Sequence, residues 1–128
     1  MTGTLRILMS CVTIAACAIA VPASAQTLSE LYDDAGKEAD AGNSRLEASD
    51  WQFRDGNVQD GCQIMEQARL HYEQAWTDLK AMDDMVHDPA NGYDDADQEK
   101  TMDWIQQQEG TLTDIGGKMA DTYYAKCQ

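Results

Sequence analysis

Val58, Met65, Tyr72, Leu79 and Val86 recur every seven residues, and Ala68, Ala75 and Met82 each follow one of them by three. An apolar stripe of this period is the seam of a helix packed lengthwise against other helices. A chain with one such helix must supply partners for it. The stretches on either side carry helical periods of their own.

Helix one is expected over 28–54. Thr27 is a candidate N-cap with Glu30 three residues on, the spacing of a capping box. Leu28, Leu31, Ala35, Ala39, Gly42 and Leu46 follow on one face, with Phe53 more loosely. Ala35, Ala39 and Gly42 make a thin seam that lets a neighbour approach closely. Ala41-Gly42-Asn43-Ser44 is a weak point, because Gly costs about 1 kcal/mol relative to Ala in a helix and Asn and Ser prefer caps. The segment is either one helix kinked near Asn43 or two short helices, and one helix is expected. Asp55-Gly56-Asn57 ends it, with Gly56 suited to the left-handed C′ position and Asn57 to capping the next helix. So short a connection makes helices one and two antiparallel neighbours.

Helix two is expected over 58–87, stopped by Asp88-Pro89 because proline disfavours helical geometry in the residue before it. A turn-rich loop follows, and acidic residues from Asp94 open helix three, expected over 95–126. Met102, Ile105, Leu112, Ile115, Met119 and Tyr123 form its apolar side. Gly116-Gly117 lies inside that side and costs about 2 kcal/mol of helix propensity. Either the helix breaks there or the pair makes room for a bulky neighbour.

The cysteines fix a register. Cys62 lies near the start of helix two and Cys127 near the end of helix three, and an even pair in an exported chain reads as one disulfide. If the two face each other across an antiparallel hairpin, facing positions have numbers that sum to about 189. Met82 then falls beside Ile105, Trp76 beside Leu112, Met65 beside Tyr123 and Tyr124, and Tyr72 beside Gly116-Gly117. The fold expected is all-α, an antiparallel three-helix bundle closed by Cys62–Cys127, in one domain over residues 26–128.

Residues 1–25 read as a cleaved signal peptide. Arg6 is the only charge before Glu30, an apolar run extends from Ile7 to Val21, and Ala23-Ser24-Ala25 supplies a small-residue cleavage site. Ile14-Ala15-Ala16-Cys17 resembles a bacterial lipobox, with Cys17 as the acylated residue, but the apolar run continues beyond it and favours simple cleavage. The location expected is periplasmic or secreted. No membrane span remains after processing, since the run is short for a span and ends in a cleavage site.

Arg6 is also the only charged residue among the first 25. The remaining 103 residues therefore keep 8 of the 9 Lys+Arg and all 23 Asp+Glu, a net charge of −15. Such a surface repels nucleic acid and anionic membranes and keeps copies apart, so a monomer is expected. It attracts cations or a basic protein.

Chemistry-bearing patterns are sparse. Asp83 and His87 are four apart on one helical face with Asp84 beside them, a weak candidate metal site. The run from Asp88 to Glu99 has the length of an EF-hand loop, but Ala90, Gly92 and Tyr93 stand where ligands and the turn glycine belong. Met82, Met85 and His87 are soft or borderline copper ligands, though Met82 belongs to the core stripe. Neither a haem-attachment motif nor a Gly-x-Ser-x-Gly nucleophile is present, and the chain reads as non-enzymatic with no cofactor implied. Trp51 and Trp104 fall off the apolar stripes, and an exposed tryptophan on an acidic surface is a partner-binding anchor. Two functions follow as expectations. One is a non-catalytic protein-binding or accessory module of the bacterial envelope. The other is a divalent-metal-binding or metal-responsive protein using Asp83, Asp84 and His87.

Overall fold

The computed structural model describes residues 26–128, so the expected signal segment lies outside the described residues. Among the described residues there are three α-helices: α1 over Leu28–Arg54, α2 over Val58–His87 and α3 over Asp95–Lys126. Their bounds are those expected from the periodicity.

Local chemistry explains the ends. The Thr27 hydroxyl accepts from the Glu30 amide at 3.1 Å, and the Glu30 carboxylate accepts from the Thr27 amide, completing the capping box. Gly56 has φ +81°, and the amides of Gly56 and Asn57 donate to the carbonyls of Phe53 and Gln52, a Schellman ending. Asn57 departs from expectation. Its side chain does not cap α2 but donates to Gln52 Oε1 at 2.9 Å. A short 3-10 turn, Pro89–Asn91, joins α2 to α3, and Asp94 caps α3 through the Asp97 amide at 2.8 Å.

α2 is the central element, buried on two sides by α1 and α3. Met65, Ala68, Tyr72, Ala75, Leu79, Met82 and Val86 are all buried. Val58, the first residue of the stripe and of the helix, is 45% exposed.

α1 and α2 lie in very close approach. A Cβ on Gly42 would sit 2.6 Å from the Tyr72 ring, and one on Gly61 would sit 2.6 Å from the Phe53 ring. Each glycine is therefore a socket for an aromatic ring of the opposite helix. Between the two sockets the fully buried Ser49 hydroxyl donates to the Gly61 carbonyl at 2.9 Å. Tyr72 donates to Asn43 Oδ1 at 2.7 Å, and His71 meets Glu38 at 2.7 Å. Numbers fall on one helix as they rise on the other, so the pair is antiparallel. Gly42 and Asn43 thus do not break α1, because Tyr72 fills the one and bonds the other.

α3 is held differently. The buried residues on it are Ile105, Leu112 and Met119, seven apart, which is a single file along one side. No Cα of α1 comes within 8 Å of one of α3. Those two helices meet through side chains, with Tyr32 against Trp104 at a ring separation of 4.3 Å. The Cys62–Cys127 disulfide clips the far end of the α2–α3 hairpin. Gly116-Gly117 overturns both expectations placed on it. The helix runs through the pair, and among the described residues nothing lies within 4 Å of a Cβ built on either glycine. Tyr72 had been expected there, but Gly42 on α1 takes its ring instead.

Candidate functional site: a groove between α2 and α3

The space that Tyr72 leaves unfilled is a groove. It has a volume of about 510 Å³ and lies between α2 and α3 on the side away from α1. On α2 its wall is Met65, Arg69, Tyr72 and Trp76. On α3 it is Leu112, Gly116, Met119 and Tyr123, with Ala120 and Tyr124 alongside. Both walls follow the same spacing of four, three and four residues, the spacing of neighbours along one helical face. Met65, Leu112 and Met119 are buried and form the floor, whereas Trp76, Tyr123 and Tyr124 are 38%, 45% and 68% exposed. Large apolar side chains facing water side by side are the unusual feature of this surface.

The mouth is charged. Glu66 and Glu73 line it on either side of Arg69, which donates to both carboxylates. The guanidinium beside Glu66 holds that carboxyl below its ordinary range. All three side chains are largely exposed, so the trio orders the rim without adding much stability.

The tryptophans singled out in the sequence separate. Trp51, near the end of α1, is 56% exposed, and Arg54 lies over its ring at 5.3 Å. Trp104 is half-buried and packs on Tyr32, so it bridges α3 to α1. It lines a second surface depression of about 570 Å³ with Tyr32, Met82, Tyr93 and Lys100, near the start of α1. The groove residues Trp76, Tyr123 and Tyr124 were not singled out as a binding surface. Their signal lay in Tyr123-Tyr124 itself, since two consecutive helical residues cannot both face one seam.

Asp83 and His87 do meet, with Nδ1 of His87 2.8 Å from Asp83 Oδ1. Asp84 is not drawn into a ligand set with them. Among the described residues no three His, Cys, Asp or Glu side chains come together as metal ligands would.

One buried carboxylate stands apart from these surfaces. Asp78 on α2 is 7% exposed; Gln74 donates to its Oδ1 at 3.1 Å, while Oδ2 has no hydrogen-bond partner among the described residues. Burial pushes its pKa up. Asp34 and Glu38 on α1 push the same way, against the Gln74 hydrogen bond.

Comparison with family models, with curated proteins and with solved structures finds no match to this chain. Among the described residues no helix is long and apolar enough to cross a membrane.

Proposed function

We propose that residues 26–128 form a non-catalytic protein-binding or accessory module of the bacterial cell envelope, exported by the signal in residues 1–25. Its partner is a basic protein. The observation that carries this reading is the apolar band of Trp76, Tyr123 and Tyr124 around an open groove on a domain of net charge −15. Charge of one sign draws an oppositely charged partner in and discourages wrong ones, and exposed aromatics supply contact area once it arrives. The same charge opposes nucleic acid and self-association, in keeping with a monomer. Trp51 is a second exposed anchor on the same acidic surface.

Capture from an envelope extract on immobilised mature protein tests the reading. A basic protein retained at low salt and released at high salt is the expected result, because screening removes the long-range attraction. Capture of nothing at low salt, or of acidic proteins alone, contradicts it. For the envelope location itself, the mass of the exported chain should correspond to a start at Gln26. A chain still carrying residues 1–25, or one acylated at Cys17, contradicts simple cleavage.

A further inference from the structure

We infer that the α2/α3 groove is the docking site for a single amphipathic helix of the partner, flanked by Lys or Arg, which lies between α2 and α3 as a fourth helix. The inference rests on the partner-binding reading above and adds the chemistry of what is bound.

Shape is the first argument. Each wall spans twelve residues, Met65 to Trp76 on α2 and Leu112 to Tyr123 on α3, and so eleven steps along its helix. At 1.5 Å per residue the two stripes run side by side for about 16 Å, or three helical turns. Paired helical stripes of equal length, apolar but for Arg69 and flanked by Glu66 and Glu73, are what an incoming helix reads with its i, i+3, i+4 and i+7 positions. Gly116 gives such a helix an approach, since it has no Cβ and nothing stands within 4 Å of where one would be.

Economy of packing is the second. α3 buries three residues in single file, so among the described residues its flank toward the groove has no neighbour. α2 is covered by α1 on one side and α3 on another, and Trp76 remains 38% exposed where a fourth element would lie.

Charge selects among occupants. Glu66 and Glu73 share one cation at the mouth, which leaves the rim acidic, on a domain carrying −15. A second copy of this chain brings the same charge and is repelled. A helix whose polar face is cationic is attracted, and its approach also offers partners to the two glutamates.

The mature, disulfide-intact protein would be titrated with a synthetic 18-residue peptide with Leu at its a and d positions and Lys elsewhere. A matched peptide carrying Glu in place of Lys serves as the comparison. Two variants locate the site. Gly116→Leu puts a branched side chain into the groove from a position whose Cβ meets nothing within 4 Å among the described residues, and it replaces a poor helix former; a wild-type circular dichroism spectrum and melt check that it folds. Gly117→Leu alters the adjacent residue, which does not line the groove. The Lys peptide should bind wild type and Gly117→Leu alike, lose tenfold or more in affinity on Gly116→Leu, and weaken as salt rises. Amide chemical shifts should move along both walls. The inference is overturned if the Lys peptide fails to bind, if it binds Gly116→Leu undiminished, or if the Glu peptide binds as well. It is also overturned if sedimentation shows wild type dimerising through this face and Gly116→Leu does not. Extract capture separates this from the broader reading. A basic partner still retained by Gly116→Leu removes the groove and leaves the partner-binding reading intact, whereas no capture by wild type removes both.

Discussion

Glycine does opposite things on the two sides of α2. Toward α1, Gly42 and Gly61 are each met by an aromatic ring, so that a single added carbon would lie 2.6 Å from it. Toward α3, Gly116 and Gly117 face nothing within 4 Å among the described residues. The first side is a closed interface with a buried hydroxyl, two sockets and interhelical polar contacts. The second is a single file of three side chains with a disulfide at its end. One helix therefore has a structural neighbour and a loosely held one, and the loose side is where the open groove with exposed aromatics lies. Interiors are close-packed and respond to a methylene, so the same substitution should have opposite signs on the two sides.

The largest effect should come from the clip on the loose side. Replacing both Cys62 and Cys127 by Ser releases a crosslink spanning 65 residues, and about 4 kcal/mol of stability should be lost in the chain-entropy model. Denaturant unfolding measures it. A loss under about 1 kcal/mol would mean that packing alone secures α3 and would erase the contrast.

Next come the glycines. Gly42→Ala drives a carbon into a Tyr72 ring that is buried and tied to Asn43, so the ring has little freedom to yield. Overpacking of this kind costs about 1 to 3 kcal/mol against about 1 kcal/mol gained in helix propensity, and with a ring held this tightly the upper part of that range applies, for a net loss of about 1 to 2 kcal/mol. Gly116→Ala meets open space and should raise stability by about 1 kcal/mol. Paired melts of these two variants sharpen the comparison, and a shift of the same sign in both would break it.

The smallest effect should be at Asp78. Because its pKa is raised in the folded state, the folded protein holds that proton over a range of pH where the unfolded chain has released it. The stability this group contributes is therefore full below the ordinary aspartate range and is lost as pH rises through the folded-state value. Asp78→Asn should stabilise the protein at neutral pH, with a gain that shrinks as pH falls into the ordinary aspartate range. A difference independent of pH would show that the carboxylate is not the source of the cost.

The three helices and all their ends but the Asn57 cap are legible in the sequence, because each rests on a local pattern, and the disulfide is legible because only two cysteines follow the signal segment. Thr27 with Glu30, Gly56 and Pro89 need only their neighbours, and the seven-residue stripe of α2 needs only its own periodicity. What could not be read is which partner fills which gap. Tyr72 is long enough to serve either side of α2. The cysteine register placed it opposite Gly116-Gly117, while the thin seam at Ala35, Ala39 and Gly42 was equally able to receive it. The choice depends on how near each helix comes, and that is settled by packing over the whole length rather than by any pair of residues. The groove inherits this, since it exists only because Tyr72 turned toward α1. Trp51 was legible as an off-stripe aromatic and is exposed. Trp104 looked the same in sequence, yet Tyr32 covers it, and nothing local to either residue distinguishes them.

The central claim is that α1 and α2 form one tightly built unit to which α3 is attached by a narrow seam and a crosslink. Native-state amide hydrogen exchange on the Cys62→Ser, Cys127→Ser variant tests it residue by residue. The account predicts that α3 amides lose protection at a lower free energy than those of α1 and α2, which stay protected together. Loss of protection in all three helices at one common free energy would contradict it.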